Sequence, residues 1–97
     1  MFRLEFTPEA LEDLRRLRVY EQRQIFDAAQ AHLSHHPDQV SRNRKRLRPN
    51  KLAEWALRVG SFRVFYDIDS ERQIVIIETI GSKQGNKLFI GGEEYNL

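Results

Sequence analysis

The sequence contains no cysteine. That excludes a disulfide framework, a thiolate metal site and a cysteine nucleophile, and it fits a reducing, cytoplasmic setting. No apolar run approaches the roughly 20 residues that a membrane-spanning helix needs, so no membrane partner is expected. The first residues, Met1-Phe2-Arg3-Leu4-Glu5-Phe6, alternate apolar and charged side chains and do not read as a signal peptide. No internal repeat, low-complexity segment or Gly/Ser linker divides the 97 residues, which predicts one domain over 1–97. Metal ligands are also scarce. His32, His35 and His36 sit near a predicted helix end without an acid or thiol at a fitting spacing, so neither metal nor cofactor is expected. Gly81-Ser82-Lys83 is too short for a phosphate-binding loop and lacks a following helix.

What is present suits a soluble globular fold. Hydrophobic residues make up 40% of the chain and charged residues 31%, and the ten aromatic side chains supply material for a core. The net charge of +2 conceals an asymmetry. Arg42–Arg63 carries eight basic residues against the single acid Glu54, a net +7, and the remainder is −5. Twelve of the sixteen basic residues are arginine, whose forked guanidinium matches phosphate. Arg44, Lys45, Arg46, Arg48, Lys51 and Arg58 are the candidate nucleic-acid contacts. A solvated basic loop satisfies the same pattern.

Local signals give the element order. Phe2, Leu4 and Phe6 alternate with Arg3 and Glu5, a half-buried strand. Thr7-Pro8-Glu9 combines an N-cap, a residue suited to the first helical turn and an acid for the positive helix end. Ala10, Leu11, Leu14 and Leu17 form one helical stripe, and Ile25, Phe26, Ala29 and Leu33 a second. A break is expected within Arg18–Glu21, and Pro37 stops the second helix. Gln39–Asn50 reads as a polar loop. Trp55–Val59 and Phe62–Ile68 flank Gly60-Ser61 as a tight hairpin. Gln73–Ile80 reads as a central strand ended by Gly81. The tail, Ser82–Leu97, reads as a short edge strand or as an arm docking on a partner. The order β-α-α-β-β-β predicts an α+β fold of two layers, a helical hairpin on a mainly antiparallel sheet.

A two-residue turn at Gly60-Ser61 fixes the register. Trp55, Leu57, Val59, Phe62, Val64 and Tyr66 share the core face, and Glu54, Ala56, Arg58, Arg63, Phe65 and Asp67 share the other. Arg58 then lies opposite Arg63. Like charges in that position repel, so either an internal acid (Glu54, Asp67 or Glu78) or an external anion must compensate them.

This order, with Leu57-Arg58-Val59-Gly60 and Phe62-Arg63-Val64-Phe65-Tyr66, resembles the RelE/ParE superfamily of toxins from type II toxin–antitoxin systems. Lys45-Arg46-Leu47 before it and Ile80-Gly81-Ser82-Lys83 after it extend the likeness to nearly the whole chain. The resemblance implies a RelE-like fold and a cognate antitoxin partner. Its mRNA-cleaving branch implies a metal-independent, ribosome-dependent endoribonuclease, with mRNA and the ribosome as partners. Arg63 then matches the arginine on the scissile phosphate, and Lys83 a second cation. Glu54 stands as candidate base. Glu54 and Ala56 replace strand lysines, and Phe89 falls where a catalytic tyrosine is expected. Tyr95 is the nearest C-terminal phenol. A ParE-like DNA gyrase inhibitor tolerates these departures. A non-catalytic domain that binds antitoxin or nucleic acid is the third reading.

Overall fold

A computed structural model describes residues 1–97 as two helices packed on one face of a seven-stranded, mostly antiparallel sheet. The elements are β1 (Arg3–Phe6), α1 (Pro8–Arg15), α2 (Val19–Leu33), β2 (Arg44–Arg46), β3 (Trp55–Val59), β4 (Phe62–Asp69), β5 (Ile74–Gln84), β6 (Lys87–Ile90) and β7 (Glu93–Tyr95). The α+β class and the β-α-α-β-β-β frame are those the sequence predicts, with short strands added at both ends of the sheet. Thr7 caps α1 by accepting from the Ala10 N–H, and Pro8 opens the helix. The helical break falls at Arg16–Arg18, slightly earlier than expected. There the Glu21 carboxylate accepts from the Arg18 N–H, and Gln22 donates to the Leu17 carbonyl.

The sheet order is β2-β3-β4-β5-β6-β7, with β1 parallel to β5. The β3–β4 register is the predicted one, from Trp55 opposite Tyr66 to Val59 opposite Phe62. Gly60 takes φ +59°, the conformation that lets the turn close. Trp55, Leu57, Val59, Phe62, Val64 and Tyr66 are buried beneath the helices with Ala10, Ile25, Ala29 and Leu33. Leu14 and Leu17 pack at the margin, whereas Leu11 and Phe26 are exposed, so the helical stripes are narrower than their sequence pattern implied.

Three expectations need correction. The Gln39–Asn50 loop contains β2, whose Lys45 pairs with Ala56. Gly81 does not end the central strand, because β5 runs on to Gln84 and β6 folds back over it. A Cβ at Gly81 would lie 2.9 Å from the Phe89 carbonyl oxygen, so glycine permits a close approach here and is no stop. The tail forms a β6–β7 hairpin through Gly91 and Gly92, both with positive φ.

The solvent face of the hairpin is covered as well. Ala53, Ala56, Phe65 and Leu88 form a second small core, bordered by Leu47, Leu52, Ile90 and Tyr95. On the helical side, the buried Tyr66 hydroxyl donates to the Pro37 carbonyl at 2.7 Å and ties the segment after α2 to the sheet. Burial pushes the Tyr66 phenol well above its ordinary range, so it stays a donor. Tyr66→Phe strands that carbonyl, and urea denaturation should show a loss of about 1–3 kcal/mol. No loss would mean that another donor or water replaces the phenol.

Candidate functional site

The sheet pairing gathers cations on the face opposite the helices. Arg63 lies between Arg58 on β3 and Gly81 on β5. Two residues further along β5, Lys83 returns to the same face and pairs with Leu88, which pairs with Tyr95. Lys45, Arg63, Phe65, Lys83, Leu88 and Tyr95 therefore line one cavity of about 370 Å³. Glu94 borders it too, but it pairs with Phe89 and so belongs to the other face of β7. A contiguous cleft of about 270 Å³ adds Arg42 and Arg58 around the same Lys45, Arg63 and Lys83. Gly81 offers no side chain opposite Arg63, which leaves room for the guanidinium.

Arg63 is partly anchored by its own turn. Its Nη1 donates to the Gly60 and Phe62 carbonyls at 3.0 and 2.9 Å. No carboxylate pairs with Arg58, Arg63 or Lys83; the ion pairs of the chain lie elsewhere. Burial, and then the charge of Arg58, lower the Arg63 pKa from its ordinary value. Of the internal acids that sequence reasoning offered as counter-charges, Glu54 pairs with Arg46 at 3.5 Å, and Asp67 accepts from the Glu54 N–H at 2.8 Å. Glu78 sits at the register shift between β4 and β5. Burial, then a hydrogen bond and charge repulsion from Asp67, push its carboxyl up to about 7. The two arginines thus face solvent unneutralised.

The sequence candidates divide into three groups. Arg63, Lys83, Lys45 and Arg58 come together. Arg46, Arg48 and Lys51 line a separate cleft with Glu54 and Asp67. Glu54, the expected base, is not brought to Arg63. It lies four residues along β3 from Arg58, about 13 Å in extended chain. Arg44 is likewise withdrawn as a free contact, because its guanidinium donates to the His32 carbonyl at 2.7 Å and the Gln39 carbonyl at 2.9 Å. It serves as a basic cap near the C-terminus of α2. Arg46 lies over the Trp55 ring, 5.8 Å from its centroid. Tyr95 is the functional candidate that sequence reasoning did not place at the site. The signal was Gly91-Gly92, a second glycine-led turn that brings Tyr95 opposite Leu88.

Residues 4–86 match the family described as ParE toxin of type II toxin-antitoxin system, parDE. The chain belongs to this family, within the RelE/ParE superfamily of type II toxins. Among solved structures it is similar to the toxin–antitoxin complex RelBE2 from Mycobacterium tuberculosis. The identity is 28% over 84% of this chain and 98% of that chain, with a TM-score of 0.72. No curated protein is a sequence match.

Two predictions follow from the charges. Because folding raises the Glu78 pKa from 4.5 to about 7, the stability gained by its protonated form is present below about pH 4.5 and lost as pH rises through about 7. Glu78→Gln keeps a neutral hydrogen-bonding group, so urea denaturation should show the variant gaining on the parent between about pH 5 and about pH 8. An unchanged difference at the two pH values would mean that folding does not raise the Glu78 carboxyl. Arg58→Ala removes the cross-strand repulsion and should raise stability by about 0.5 kcal/mol. It should also weaken polyanion binding. A variant that binds as tightly as the parent would remove Arg58 from the site.

Proposed function

We propose that the chain is held by a cognate antitoxin and, when free, acts as a ribosome-dependent mRNA endoribonuclease that inhibits translation. The observation that carries this reading is the convergence of Arg63, Lys83 and Tyr95 on one open cavity with a cationic rim. Cations for the charge on phosphorus and a phenol as proton donor are group types that cleavage by an RNA 2′-hydroxyl uses. The attacking 2′-OH gives up its proton to solvent water in the open cavity. The 2′-oxygen bonds to phosphorus, and Arg63 and Lys83 stabilise the charge that builds on the non-bridging oxygens. The Tyr95 hydroxyl protonates the departing 5′-oxygen. The products are a 2′,3′-cyclic phosphate and a free 5′-hydroxyl, with no metal or cofactor called on.

The same charge explains how an antitoxin silences the site. An acidic, amphipathic segment laid over Arg58, Arg63 or the Leu88–Leu97 tail covers the cations and excludes polyanions. The family description, which names ParE toxins, favours a second reading: inhibition of DNA gyrase, which needs the basic face and no proton-transfer groups.

Primer extension on cellular mRNA after induction separates these readings. Codon-phased cuts support the nuclease, and gyrase-linked DNA breaks with intact mRNA overturn it. Arg63→Ala removes a half-buried side chain outside both cores, so the fold should persist while cleavage slows about 100-fold or more, as for loss of an oxyanion donor. Lys83→Ala and Tyr95→Phe should act in the same direction, whereas Glu54→Gln and Glu94→Gln should cut normally. Unchanged cuts in Arg63→Ala would remove the phosphate site as drawn.

A further inference from the structure

The helical layer has an outer face that nothing in the chain covers. Of the seven large hydrophobic side chains that are exposed, four lie on α1 and α2: Leu11, Val19, Tyr20 and Phe26. Val19 is 78% exposed and Tyr20 62%. A lone apolar side chain on a surface is ordinary, but several on one face mark a contact surface. Helical spacing explains their place. The core side of α2 carries Ile25, Ala29 and Leu33. The opposite side carries Tyr20, Arg23, Asp27 and Ala31, all exposed. Phe26 stands at the margin, stacked on Phe6 with ring centroids 6.3 Å apart.

The charges on this stripe say which partner fits. Arg23 and Asp27 lie one turn apart, and neither has an ion-pair partner within the chain. One base and one acid make the stripe neutral, so it does not select the acidic segment or the polyanion that suits the sheet face. It is complementary to itself. A two-fold axis that runs a second α2 antiparallel to the first sets Arg23 against the partner's Asp27 and Asp27 against the partner's Arg23. The same register sets Tyr20 against Gln30 and Val19 against Ala31, whose small side chain leaves room for the helices to approach. A parallel arrangement would set arginine against arginine.

We infer that the outer helical face is a docking surface for a second copy of this chain, packed α2 against α2 in antiparallel register. The apolar side chains supply the affinity, and the two Arg23–Asp27 pairs set the register. α2 has 15 residues and so is about 22 Å long. With α1 beside it, the face offers roughly 450 Å² to each partner, about half of the standard area, so the dimer is weak and reversible. Arg63 and Lys83 lie on the face of the sheet away from the helices, so both copies keep their cations open to solvent and pointing apart. The inference holds whether or not the chain cuts RNA.

The test is sedimentation equilibrium of the purified chain. A dimer should be populated at about 200 µM and should dissociate on dilution to about 2 µM, as befits so small a contact. Arg23→Glu and Asp27→Arg should each weaken association about tenfold or more, because each sets like charges together at both ends of the contact. Neither side chain belongs to a core, so urea denaturation should find both variants folded. Mixing the two variants should restore a dimer with one copy of each, since each supplies the charge that the other lacks. Only the antiparallel register gives that rescue. Val19→Asp, at the most exposed apolar position of α2, should abolish the dimer outright. A chain that stays monomeric at about 200 µM overturns the inference. So does a dimer that both charge substitutions leave intact, or one that mixing the two variants fails to restore.

Discussion

The side chain of Asp13 holds the point at which the sheet changes partners. Along one edge, β5 pairs with β4 from Ile74 to Ser82, with one register shift at Glu78. Along the other it pairs with β1 through Ile77 and with β6 only from Ser82. The interval between them is an open edge inside the fold, where free backbone groups would be costly. Thr7 closes its first part, its N–H donating to the Ile77 carbonyl and its hydroxyl to the Glu78 carbonyl. The Asp13 carboxylate closes the rest by accepting from the Ile80 N–H at 2.9 Å. Burial raises the Asp13 pKa, while this hydrogen bond and Arg16 oppose the rise and favour the charged acceptor. One turn of α1 thus docks the helix and seals the strand. Next to the seal lies Gly81, and opposite Gly81 lies Arg63, so the position of the candidate site depends on it.

The distribution of acids makes the same arrangement usable. Glu54 is taken up by Arg46, Asp67 and Glu78 by each other, and Asp13 by the β5 backbone. Each of these carboxylates has a structural occupation. The cations of Arg58, Arg63 and Lys83 have none. A cross-strand arginine pair left without a counter-ion costs stability, by a few tenths to about 1 kcal/mol for like charges on a sheet surface. A polyanion that binds here recovers that cost, so the strain of the free protein works as a bias toward an anionic partner.

How far the sequence discloses this can be judged residue by residue. The β3–β4 hairpin was legible because Gly60-Ser61 is a two-residue turn between β-rich runs, and the alternation then assigned every face correctly. It did not disclose that Ala56 and Phe65, on the supposed solvent face, are buried by a second core. Leu47, Leu88 and Tyr95, which come from distant segments, supply that cover. The basic loop was legible as charge and not as structure. Nothing local separates Arg44, bonded to the end of α2, from Lys45, its neighbour on the opposite face of β2. Gly81 was misread because one residue type serves both for stopping a strand and for admitting a close neighbour.

Phe89 shows how strand parity decides chemistry. By linear comparison with the superfamily this position calls for a phenol, and its phenyl ring counted against catalysis together with Glu54 and Ala56. Yet Phe89 pairs with Ser82 and lines the helical-side cavity with Asp13, Leu17 and Phe62. A hydroxyl there would face away from Arg63. Leu88 holds the face that matters, and the β6–β7 turn carries the chain back so that Tyr95 lands beside it. The β6–β7 hairpin thus brings a phenol from the next strand to a place that β6 itself does not fill. What must be kept is therefore a face and a distance along the sheet, set by the Gly81 close approach and the Gly91-Gly92 turn, and not a residue at a fixed place in the sequence.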